Sequence, residues 1–267
     1  MHALSFPVRL AAAGSLALAA VLLAGCGGGG GDSALAAPAP VLELDQVWAG
    51  KPFVLNEAVT TPAGEEFTAT RLRYYLSGFR LRRADGTWFE PKTDAQSSDG
   101  YVLVDAAEPA SAKFALPAAP VGEYSGLEFR VGVDDPRNHA GAQTGALDPA
   151  KGMFWTWTTG YIHFKLEGRS PASPEPEQRV TLHVGGDGLS RTIFLPFATK
   201  PLKVADGLQP TIHVVVDVAS FFGGEVPLKL ADTHTVMDGP HAVPLADRYA
   251  GLFRVDHLHH EPAAARP

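Results

Sequence analysis

The chain has 267 residues, a formal net charge of −7, 45% hydrophobic residues and one cysteine. An acidic chain lacks the basic face that nucleic-acid binding needs, and a single cysteine rules out an internal disulfide framework. From the N-terminus, a short basic start (Met1 to Arg9) precedes the apolar run LAAAGSLALAAVLLAG and then Cys26. Residues 1–25 thus resemble a secretory leader with the lipobox Leu23-Ala24-Gly25-Cys26, and the run is shorter than the roughly 20 residues of a spanning helix. Cys26 is the expected site of lipidation. Gly27, where an aspartate would favour retention at the inner membrane, points to the outer one. Residues 26–40 follow as a tether, GGGGG passing into a Pro/Ala linker.

From Val41 the sequence alternates as short strands do: VLELDQVW (41–48), RLRYYLSGFRLRR (71–83), YVLVD (101–105), YSGLEFRVGVD (124–134), MFWTW (153–157), YIHFKLEG (161–168), RVTLHVGG (179–186), RTIFLPF (191–197), PLKV (201–204) and TIHVVVDVASFF (211–222). Turn pairs such as Asp85-Gly86, Asp135-Pro136 and Asp206-Gly207 separate them. One or two helical turns fit Leu245–Leu252, after Pro244. The expected architecture is all-β: a single antiparallel β-sandwich or barrel-like domain over residues 41–260, with 261–267 as a disordered tail.

Residues 135–152, DPRNHAGAQTGALDPAKG, form a long segment without strand pattern, and such loops tend to be functional. It runs into GMFWTWTTGYIHFKLEG (152–168), which carries two of the four tryptophans, Trp155 and Trp157. Strand alternation gives Met153, Trp155, Trp157, Thr159, Tyr161 and His163 one parity, unless Gly160 hosts a bulge. Pairing Glu167 with Arg179 across the following hairpin would set His163 opposite His183, about 5 Å apart at Cβ, a separation that one metal ion can bridge. Two neutral imidazoles suit copper, zinc or nickel. An indole nitrogen has no free lone pair and is a donor only. Opening the ring to kynurenine frees an amine that can ligate.

The run NHAGAQTGALDPAKGMFWTWTTGYIHFKLEG (138–168), followed by LHVGG (182–186), resembles the family of periplasmic copper proteins typified by MbnP. LRYYLSGFRL (72–81), YVLVD, LEFRVGVD (127–134) and VVVDV (214–218) are similar to that family too. The resemblance implies a secreted β-rich protein that binds one copper ion, Cu(I) or Cu(II), per chain, and is not itself an enzyme. It also implies a kynurenine made from Trp155 or Trp157 by a di-haem partner of the MauG and cytochrome c peroxidase type. Copper ligands would then come from His183, His163 and His139. The expected protein is lipid-anchored on the periplasmic side of the envelope.

Other readings compete. Exposed Trp155, Trp157 and Tyr161 would also suit a β-sandwich lipoprotein that stacks on carbohydrate or peptide. His213 reads as a core histidine. His234, Met237 and His241 read as a loop with a soft thioether, and His257, His259 and His260 as a solvated tail. Asp134, Asp135 and Asp148 read as turn caps.

Overall fold

The computed structural model describes residues 39–92, 100–156, 158–237 and 239–263. The leader, Cys26, the tether up to residue 38, Trp157 and residues 264–267 lie outside them. The described residues belong to one compact unit, and none of their helices is long and apolar enough to cross a membrane.

β1 (Val41–Trp48) turns into β2 (Lys51–Pro52) through Ala49-Gly50, both with positive φ, as a two-residue hairpin requires. Then come β3 (Ala58–Thr60), the long β4 (Glu66–Arg83), β5 (Trp88–Phe89), β6 (Tyr101–Asp105), β7 (Lys113–Ala115) and β8 (Gly122–Val131). Asp134 caps the single turn α1 (Asp135–Asn138) by accepting from the Arg137 N–H. The loop continues through 3-10 turns at Gly145–Leu147 and Pro149–Lys151. β9 (Phe154–Thr156) and β10 (Gly160–Arg169) form a hairpin, followed by β11 (Arg179–Gly185), β12 (Arg191–Pro196), β13 (Leu202–Val204) and β14 (Leu208–Asp217). α2 (Ala219–Phe222), β15 (Thr235–Val236), α3 (Val243–Ala246) and β16 (Phe253–Pro262) complete the order.

Two curled sheets result. One runs β16-β14-β1-β2 with β7 on β1; the larger runs β12-β8-β4-β10-β11-β15, with β3, β5 and β6 on β4, β9 on β10 and β13 on β8. The all-β architecture matches the expectation. It is not purely antiparallel, because β1 pairs parallel with β14 and β11 with β15. The main core unites Leu42, Leu44, Ile212, Val214 and Val216 with Leu72, Tyr74, Phe129, Phe164, Leu182 and Val184. Successive residues face opposite sides of a strand, so Tyr75, next to Tyr74, belongs to a second cluster with Val133, Leu147, Met153, Tyr161 and Ile162. The 135–152 loop covers that outer face. Tyr75 and Tyr161 donate their hydroxyls to the Ala146 and Leu147 carbonyls, and Arg73 and Lys165 hold those of Lys151 and Gly152.

Three local expectations are corrected. MFWTW and YIHFKLEG are not one alternating strand: the chain folds back, Tyr161 pairs with Phe154, and Gly160 (φ 74°) sits at the register shift. VASFF does not extend β14, because the Asp217 carboxylate accepts from the Ala219 and Ala49 N–H groups and starts a helical turn. HLHHE is not a solvated tail; it is strand β16, paired along β14.

Candidate functional site

β10 and β11 pair through Lys165↔His183, Glu167↔Thr181 and Arg169↔Arg179, with a register shift between Ile162 and Phe164. This is two residues away from the expected register, so His163 does not face His183. An even slip preserves the face, and His183 still shares a surface with Glu167 and Lys165. His183 is 6% exposed. Glu167 Oε1 accepts from its Nε2 at 2.8 Å, while Arg71 Nη1 lies 2.6 Å from Glu167 Oε2. The His183 hydrogen bond, with help from Arg71, holds the Glu167 carboxyl down to about 2. With Nε2 committed as donor, Nδ1 carries the free lone pair. That atom is buried and has no hydrogen-bond partner. Leaving a buried polar atom unpaired costs on the order of 1–3 kcal/mol.

Two positions further along the same face of β11, Trp155 lies over Gly185. A Cβ added to Gly185 would stand 3.1 Å from Trp155 Cζ3 and 2.3 Å from the Tyr161 carbonyl. Gly185→Ala is therefore expected to cost about 2–4 kcal/mol, read from urea midpoints, and to alter the near-ultraviolet signal of Trp155; an unchanged midpoint would refute the close approach. Trp155, Thr158, Thr159, Gly186, Asp187 and Leu189 line an open cleft with Gly185.

The other two predicted histidines reach the same turn from behind and from the rim. His163 is fully buried: its Nδ1 accepts from the Val133 N–H at 3.0 Å and its Nε2 donates to the Gly186 carbonyl at 2.8 Å. Both ring nitrogens are occupied, and burial holds the imidazole down to about 4. It fills a seam where β4 pairs with β10 up to Tyr74 and with β8 from Leu76. A side chain on Gly132 (φ 118°) would strike it, at 2.7 Å from Cγ. His139 is exposed, with Nε2 2.7 Å from Asp187 Oδ2. Asp187 also accepts from Asn138, whose Oδ1 takes the Tyr161 N–H. Trp155, His163 and His139 thus meet the Gly185-Gly186-Asp187 turn, while His183 stands two positions before it on β11 and alone of the four presents a buried unpaired nitrogen.

A family model described as MbnP matches residues 38–238. The chain belongs to the MbnP family. Among solved structures, MbnP from Methylosinus trichosporium shares 18% sequence identity, covering 83% of this chain and 98% of its own, with a TM-score of 0.49. No curated protein matches.

For this MbnP-family chain, sequence reading overlooked the carboxylate neighbour of His183. Glu167 was expected to pair with Arg179, whereas it is bound by His183 and Arg71. Met237 was assigned to a loop. Met237, 47% exposed, follows the two-residue β15, whose register on β11 is Thr181↔Thr235 and Leu182↔Val236. The tract ADTHTVMDG gave no strand signal long enough to reveal this, since β15 has two residues.

Proposed function

We propose that the protein binds copper for a methanobactin-type system, held on the periplasmic side of the envelope by a lipidated Cys26. The metal is taken by His183 Nδ1 and by the amine of a kynurenine made from Trp155. The observation that carries this reading is the unpaired, buried Nδ1 of His183, whose other nitrogen is fixed by a carboxylate as metal-ligating histidines commonly are. Trp155 is favoured as the modified residue because its indole lies on the same face of the same strand.

Ring opening is a four-electron oxidation that adds oxygen across the indole C2–C3 bond and then releases C2 as formate. Nothing encoded in the chain supplies such an oxidant, so the di-haem partner of the MauG type is assigned that step, and the protein is its substrate. His139, 2.7 Å from the cleft residue Asp187, is the flanking donor. Lys165, which stands opposite His183 on β10, has the cations Arg71 and Arg73 and the carboxylate Glu167 near it. That excess positive charge favours monovalent Cu(I).

The test is co-expression with the di-haem partner and mass analysis of the peptide spanning Trp155 and Trp157. A gain of about 4 Da is expected, abolished by Trp155→Phe, together with tight binding of one copper. No gain with a demonstrably active partner would defeat the reading, and a gain that persists in Trp155→Phe would move the modification to Trp157. Metal-independent binding of sugars or peptides by the unmodified protein would favour the stacking alternative.

A further inference from the structure

The second sheet carries a histidine cluster of its own. β14 and β16 are antiparallel with His213↔His257 and Thr211↔His259 in register. His257 and His259 flank Leu258, which is buried at 4% exposure, so both imidazoles project from the outer face, as His213 does. The His213 and His257 rings stack 4.2 Å apart at 10°, and the His259 ring lies 4.7 Å from the first and 4.5 Å from the second. One ring nitrogen from each lies within 4.8 Å of the others.

We propose that His213, His257 and His259 form a site for a first-row divalent cation, separate from the one at His183. Metal–nitrogen bonds of about 2.0–2.1 Å place tetrahedral ligand atoms about 3.3 Å apart. Small side-chain rotations would close the present triangle, and two of the three rings are exposed. Three imidazoles without thiolate suit Cu(II) above Zn(II) by the usual affinity order, and a fourth position stays open to solvent.

The surroundings fit a cation. Asp256 Oδ2 lies 2.7 Å from His257 Nδ1, orienting that ring and leaving its Nε2 as ligand. Glu43 sits opposite His213 on the parallel neighbour β1, fixed by Lys113 at 2.7 Å. Two of the three histidines lie beyond the span matched by the family model.

The experiment uses protein made without the di-haem partner, so that no kynurenine is present. Cu(II) and Zn(II) are titrated separately into the parent, the His257→Ala/His259→Ala double variant and His183→Ala, with Cu(II) electron paramagnetic resonance read alongside. The parent should bind one Cu(II) tighter than about 10 μM with splitting from several nitrogens, His183→Ala should match it, and the double variant should lose more than about 100-fold. A double variant that keeps parental affinity and spectrum, or a loss confined to His183→Ala, would overturn the site. Binding weaker than about 1 mM would likewise reduce it to adventitious surface coordination. His259→Gln, at an exposed position, repeats the test should the double variant fold poorly.

Discussion

His183→Ala is expected to weaken copper binding by the kynurenine-bearing protein by more than about 100-fold. Glu167→Gln, which keeps the shape but removes the charge that orients the ring, should cost about 10–100-fold. The two substitutions separate ligation from positioning. His183→Ala deletes the nitrogen that lacks a partner, whereas Glu167→Gln leaves it in place and weakens the hold on Nε2. Glu167→Gln should not unfold the domain, because Arg71 still engages position 167 from the adjacent strand, and partly exposed pairs contribute about 1 kcal/mol or less. Competition against a chromophoric Cu(I) chelator gives the affinities, and thermal melts report the fold. Parental affinity in His183→Ala would remove this residue from the copper site.

The second large effect concerns His163 and acid. Its folded imidazole lies at about 4, below the roughly 6.5 of an unfolded chain. The unfolded state therefore takes up a proton first as pH falls. Stability is complete above about pH 6.5, declines by about one proton's slope, and is lower by about 3 kcal/mol once pH passes 4. His163→Ala should lower stability by about 2–4 kcal/mol at pH 7.5, because the Val133 N–H and Gly186 carbonyl lose their partner. It should also flatten the decline between pH 6.5 and 4. Urea midpoints across that range measure both quantities, and an undiminished slope in the variant would assign the acid sensitivity to another group.

Much of the fold could be read from alternation and turn chemistry. β1 and β6 match their predicted runs residue for residue, since each is a short alternating segment bounded by breakers. That His183 shares a face with Glu167 could be read as well, because strand parity survives an even slip in register. Even the irregularity at Gly160 had a sequence signal, a lone glycine within an aromatic run.

Register was decided by tertiary structure. β10 passes so close to β4 that a Cβ on Gly168 would stand 2.4 Å from the Thr68 carbonyl, and a register shift follows Glu167. Such shifts arise from how three strands fit together, and neither hairpin length nor charge matching encodes them. They turned the supposed His163–His183 pair into a seam-filling histidine and a carboxylate-bound one. The same holds for the three histidines of β14 and β16, where 44 residues separate His213 from His257. Alternation fixes which face of a strand a side chain uses, and only the packed sheets decide which side chain stands next to it. GMFWTWTTGYIHFKLEG announced by itself an aromatic strand segment with chemistry to explain, and the tertiary structure folded it into a hairpin and supplied the buried nitrogen of His183.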